Sequence, residues 1–180
     1  HLQETPNIIS IEKTMHTYLN NKYIPYLNKL QEQLEQKLKQ INITKDQKIV
    51  RTIISPCDFG FHNALRITDM KSKEDNIIFL DFEYFGLDDP AKTISDFILH
   101  PGMSLSESRK RKFAQNILRS FNNKELNQRI ELIFPLVGLI WCLILLNEFV
   151  AQHQLRRNFA QQIFNEDIQK TQLQKAQQML

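Results

Sequence analysis

Residues 55–65, SPCDFGFHNAL, place Asp58 and Asn63 just after a β-branched run, with four residues between them and Gly60 in the middle. Residues 80–90, LDFEYFGLDDP, put Asp81 at the end of another such run, followed by Glu83, Asp88 and Asp89. Carboxylates at strand ends are costly to place unless they bind something. Two such clusters joined by a β-hairpin can face each other across a small gap. That arrangement suits phosphoryl transfer, where the moving group needs positioning and charge neutralisation more than covalent help. One Asp accepts the proton of the attacking hydroxyl, while an Asn on the same loop and an Asp on the next strand hold magnesium over the phosphates.

The segment Cys57-Asp58-Phe59-Gly60-Phe61-His62-Asn63 resembles the catalytic loop of aminoglycoside phosphotransferases and choline kinases. Asp81-Phe82-Glu83-Tyr84 is similar to the choline-kinase form of the metal-binding motif, and residues 86–96 (GLDDPAKTISD) to the Asp-Pro stretch that opens the next helix. The resemblance is specific over roughly residues 55–97. It implies Asp58 as catalytic base and Asn63 and Asp81 as magnesium ligands that help hold ATP. It also implies Glu83 as an auxiliary acidic group at the metal, and Asp89 or Asp96 as a brace for the loop. The pattern departs at Pro56, where the loop His usually stands, at Cys57 in place of a small Gly or Asn, and in the longer spacing to Asp96.

The elements that must hold these loops alternate in period. Ile8, Ile11, Met15, Tyr18 and Leu19, then Leu27, Leu30, Leu34, Leu38 and Ile41, keep helical spacing. Lys48–Ile54, Ala64–Ile67 and Ile77–Leu80 read as short strands, with a polar loop over 68–76. Helices are expected near 91–99, 105–120, 124–149 and 151–178. The predicted fold is α+β, mostly α: the helical C-lobe of a protein-kinase-like fold, one domain over 1–180, with a small β-hairpin region carrying the catalytic and metal loops. No glycine precedes Gly60 and no strand before residue 48 carries a lysine. The N-terminal nucleotide-clamping lobe of such a kinase is therefore expected to be absent from this sequence, and these 180 residues alone are expected to bind ATP weakly or not at all and to be inactive, with the transfer carried out by a longer chain.

The remaining features take blander readings. Asp58 and Asn63 alone would be turn formers, Asp88-Asp89-Pro90 an N-cap, His62 a loop hydrogen-bonder, and Cys57 a small buried residue. The run Arg109–Lys112 is a solvated helix face without the interleaved aromatics that nucleic acid would require. The five histidines show no metal-ligand spacing with each other or with the two cysteines, which form no CxxC pair. The apolar stretch Leu132–Leu146 is shorter than the roughly twenty residues of a spanning helix and reads as a central buried helix, so no membrane is expected. Free thiols and a polar start favour the cytoplasm.

A metal-dependent nuclease built on Asp58, Asp81 and Glu83 would want a Lys two residues beyond the Glu, where Phe85 stands. A non-catalytic pseudokinase-like module would have no need of Asp58, Asn63 and Asp81 together. The expected partners are a nucleotide, ATP with Mg2+, and a small-molecule hydroxyl acceptor: a sugar, amino sugar or amino alcohol. The few acidic residues after 97 tilt the acceptor towards a sugar or other neutral hydroxyl compound.

Overall fold

The computed structural model describes residues 6–42, 44, 52–68, 73–122, 124–150 and 166–180, without the side chains of 6–10 and 124. The chain is α+β and mostly helical, and it divides into two compact units, residues 1–45 with 138–180, and residues 46–137. Residues 48–51 of the first expected strand, 69–72 of the expected loop and 151–165 of the last expected helix lie outside the described residues.

In the first unit, α1 (Pro6–Tyr18) runs through a π-helical turn (Leu19–Tyr23) into α2 (Ile24–Gln40). The apolar positions face a core of Ile11, Tyr18, Tyr23 and Leu30 with Leu139, Cys142, Leu145, Leu146, Leu173 and Ala176. Leu173 and Ala176 come from the last helix, α6 (Glu166–Met179). The two buried tyrosines satisfy their hydroxyls on backbone: Tyr18 donates to the Ala176 carbonyl at 2.9 Å and Tyr23 to the Leu139 carbonyl at 3.2 Å. Burial pushes both phenols above their ordinary value.

Among the described residues, all four strands lie in the second unit. β1 (Ile53–Ser55) pairs antiparallel with β4 (Gly86–Asp88), Ile53 opposite Asp88 and Ser55 opposite Gly86. β2 (Ala64–Thr68) and β3 (Asp75–Phe79) form a separate hairpin, Ala64 opposite Phe79 and Thr68 opposite Asp75. The three expected strands are thus split between two ribbons, and β4 falls in a stretch read as loop. Behind them stand α3 (Pro90–Leu99), α4 (Glu107–Phe121) and α5 (Lys124–Leu145), whose residues to Val137 belong to this unit. Ala91 and Ile94 of α3 and Leu126 of α5 form the core, flanked by Ile98, Phe113 and Ile117.

α3 begins as its sequence dictates. Asp89 accepts from the Ala91 N–H at 3.0 Å, Pro90 occupies the first turn, and Arg129 pairs with the other Asp89 oxygen. α4 ends on Asn122 in the left-handed conformation (φ 43°), its N–H returning to the Leu118 carbonyl. Arg109, Arg111 and Lys112 on α4 are exposed, and Lys110 pairs with Glu107 at 3.0 Å.

The long apolar helix differs from the central buried helix expected of it. α5 is long and apolar enough to cross a membrane by length and composition. It buries Val137, Leu139, Cys142 and Leu145, whereas Leu136, Ile140, Leu143 and Ile144 are exposed. A stripe of one face is what amphipathic packing needs, and the other face adds hydropathy without burial.

Candidate functional site

The loop between β1 and β2 is fixed from its first residue. Ser55, 1% exposed, accepts the Cys57 N–H at 3.1 Å, and Thr93 of α3 lies against the same hydroxyl at 3.3 Å. Cys57 follows with φ 62°, a left-handed conformation that a β-carbon makes unfavourable. Such residues persist where the surroundings over-determine them, and they concentrate at functional sites. Cys57 itself is half-buried, with its thiol 3.9 Å from an Asp88 oxygen.

Phe59 and Phe61 anchor the loop on either side of Gly60. Phe59 packs on Phe79 of β3 (5.1 Å between centroids) and on Phe97 of α3 (5.2 Å), and Phe61 meets Phe97 edge-on at 6.1 Å. Phe97 is itself stacked on Phe113 of α4 at 3.8 Å. One aromatic string thus ties the loop to a strand and two helices. Gly60 is required by close approach: a β-carbon there would lie 2.6 Å from the His62 ring and 3.3 Å from the Met103 sulfur.

This packing leaves Asp58 with each carboxylate oxygen occupied. Asn63 donates its Nδ2–H to Asp58 Oδ2 at 3.2 Å and to the Asp58 carbonyl at 3.1 Å. His62 Nε2 meets Oδ1 at 3.0 Å. His62 is therefore a loop hydrogen-bonder, as its sequence context suggested. A second histidine arrives from beyond α3: His100 stacks on His62 with centroids 4.4 Å apart, and its Nε2 lies 3.9 Å from the same Oδ1. The absence of metal-ligand spacing among the histidines is a fact of the sequence; the fold nonetheless gathers ligating atoms of Asp58, His62 and His100 within 4.8 Å of one another.

The second acidic stretch adjoins this one through the hairpin. The Leu80 N–H donates to the Asn63 carbonyl at 2.8 Å, so the chain enters Asp81 alongside the end of the Asp58 loop. Asp81 has φ 58°, the second left-handed non-glycine residue at the site. Glu83 accepts from the Tyr84 hydroxyl and holds that phenol above its ordinary value, and the negative charges of Asp81 and Asp58 push the same way. Four expected site residues are thus located: Asp58 and Asn63 are joined directly, and Asp81 and Glu83 share with Asp58 an electrostatic effect on one phenol.

Of the two residues expected to brace the loop, Asp89 is the N-cap of α3 and the partner of Arg129, while Asp96 pairs with Lys92 at 2.8 Å. Lys92 also reaches Asp88 at 3.2 Å. Sequence reasoning missed His100 and Arg129, and gave Tyr84 no role beyond its place in the Asp81–Tyr84 motif. His100 lies 42 residues from Asp58, and no local pattern links them. No family model, no curated protein and no solved structure matches this chain.

Proposed function

We propose that this chain is the base- and metal-bearing part of a small-molecule phosphotransferase, with the helical C-lobe architecture of a kinase-like fold. The observation that carries the reading is the joined pair Asp58 and Asn63, next to Asp81 at the end of the adjoining strand. The reaction is transfer of the γ-phosphoryl group of ATP to a hydroxyl of a sugar, amino sugar or amino alcohol.

In that reaction the acceptor oxygen forms a bond to phosphorus as the bond to the departing ADP breaks, and the hydroxyl proton passes to Asp58. Asp58 suits this role because its carboxylate is held on both oxygens, which fixes its direction before the acceptor arrives. Asn63 spends its amide N–H groups on Asp58 and keeps Oδ1 as an acceptor for a cation. With the carboxylates of Asp81 and Glu83 this makes an all-oxygen donor set, the kind that suits magnesium. Magnesium, when bound, neutralises the charge of the phosphates.

The test is steady-state transfer of labelled γ-phosphate from Mg-ATP to a panel of sugars, amino sugars and amino alcohols, by a longer chain that supplies the nucleotide-clamping lobe this sequence is expected to lack. Asp58→Asn is expected to lower kcat by about 100- to 10,000-fold with little change in the KM for Mg-ATP. Undiminished transfer by that variant would remove Asp58 from the mechanism.

A further inference from the structure

The cluster of Asp58, His62 and His100 has the composition of a metal site, but its geometry argues otherwise. Imidazole binds a metal along a lone pair in the plane of the ring, at about 2.0–2.1 Å for zinc. The two rings are stacked, 17° from parallel with centroids 4.4 Å apart, so their lone pairs run side by side rather than towards a common point. The proton inventory agrees. The Gly102 N–H donates to His100 Nδ1 at 3.0 Å. A neutral imidazole has one donor nitrogen and one acceptor, so this bond places the His100 proton on Nε2, the nitrogen facing Asp58. A protonated nitrogen points at a carboxylate and does not ligate.

We propose that His100 is a positioning residue which, acting through His62, sets the direction of the Asp58 carboxylate. The inference rests on the phosphotransferase reading for what Asp58 then does, but the hydrogen-bonding claim stands apart from it. Pro56, at the start of the loop, has no donor to offer Asp58. His62 supplies the direct bond at 3.0 Å, yet it is about a third exposed and needs a wall to hold its ring. His100 is that wall. Its side chain is 12% exposed, its Nδ1 is tied to its own turn, and its ring lies flat on His62. Its Nε2–H is aimed at the same Asp58 oxygen from 3.9 Å, too far for a hydrogen bond in this state and near enough to favour the negative charge. Burial and the neighbouring His62 lower the basicity of His100 and so favour the neutral ring this arrangement uses. The turn that carries His100 is itself seated on the loop, because the Phe61 N–H points to the Met103 sulfur at 3.4 Å.

Two measurements test this. The first is the long-range 1H–15N spectrum of the imidazoles in 15N-labelled protein. His100 is expected as the Nε2–H tautomer, and Asp58→Asn is expected to shift the His62 and His100 resonances, whereas Glu107→Gln on α4 leaves them in place. A His100 proton on Nδ1, or resonances indifferent to Asp58→Asn, overturns the proposal. The second is phosphoryl transfer by a pair of variants. His100→Phe keeps a flat ring against His62 and is expected to keep kcat near wild type. His100→Asn, which can still accept the Gly102 N–H but has no ring to lay on His62, is expected to lose about 10- to 100-fold in kcat at unchanged KM for Mg-ATP. Equal rates in the two variants overturn the proposal. Both variants are made in the longer chain that supplies the nucleotide-clamping lobe; absence of transfer by that chain with wild-type sequence defeats the phosphotransferase reading alone, and the spectrum then decides the positioning claim by itself.

Discussion

Residues 55–63 and 80–88 both carry acidic side chains at strand ends, but they are built on different plans. In the first, the side chains are tied to their surroundings: Ser55 is buried, Phe59 and Phe61 join the aromatic string although Phe61 is 54% exposed, and Asp58 is held on both oxygens. In the second, Leu80, Phe82, Tyr84, Phe85 and Leu87 are all exposed, Leu87 to 76%. Their internal structure is a turn closed by the Phe85 N–H on the Phe82 carbonyl and an edge-on contact of the two rings at 5.9 Å. The second stretch is held at its ends, by the Leu80 bond to Asn63, by the β1–β4 pairing and by the Asp89 cap. A proton acceptor must be aimed before its substrate arrives, and the hydrogen bonds and ring contacts around Asp58 aim it. Carboxylates that meet a cation need charge and reach more than a fixed rotamer.

The contrast can be broken by mutation. Phe97→Ala removes the ring on which Phe59, Phe61 and Phe113 converge and should destabilise the protein by about 3–5 kcal/mol in denaturant unfolding. A loss below about 1 kcal/mol would mean that the aromatic string does not hold the loop. Gly60→Ala, which drives a β-carbon into the His62 ring, is expected to cost about 1–3 kcal/mol and to displace His62 from Asp58. Tyr84→Phe, in the exposed stretch, should change stability by no more than about 0.5 kcal/mol.

The same tyrosine sharpens the comparison through its titration. Hydrogen bonding to Glu83 and the charges of Asp81 and Asp58 disfavour the phenolate, so Tyr84 should ionise at higher pH than the ordinary tyrosine value of about 10. The difference in ultraviolet absorbance between wild type and Tyr84→Phe isolates this group. Glu83→Gln should return the midpoint towards the ordinary value, and Asp58→Asn should do so by less. A Tyr84 midpoint at or below the ordinary value would show that the carboxylates of the two stretches do not share one field.

Much of this was legible in the residues, where the cause was local. The hairpin β2–β3 follows from Ala64–Ile67 and Ile77–Leu80 around a polar stretch, and the start of α3 from Asp89-Pro90. The joining of Asp58 to Asn63 follows from a short loop that can turn back on itself. What escaped was non-local. β4 is three residues long and takes its identity from β1, not from Gly86-Leu87-Asp88. The exposed face of α5 is as apolar as its buried one, so hydropathy could not tell them apart. Phe59, Phe79, Phe97 and Phe113 are unrelated in spacing and meet only in three dimensions, as do His62 and His100.

The π-helical turn at Leu19–Tyr23 has a consequence for how this chain tolerates changes of length. Along α1 the inward residues are Ile11, Met15 and Tyr18, steps of four and three; from Tyr23, the last residue of the wider turn, into α2 they are Tyr23, Leu27, Leu30 and Leu34, steps of four, three and four. Between the two buried tyrosines, Tyr18 and Tyr23, the step is five, with Leu19 packed on the same core beside Tyr18. In an unbroken α-helix that step would carry Tyr23 off the core face by more than a third of a turn and bring Lys22 inward. The wider turn absorbs the surplus residue, so the geometry is that of a regular helix holding one insertion. Deleting Asn21 would bring Tyr18 and Tyr23 to a spacing of four and let one α-helix run from Pro6 to Gln40 with every inward side chain in register. A second insertion at the same place would find no such accommodation, and the length of this helix pair is therefore open to shortening and closed to growth.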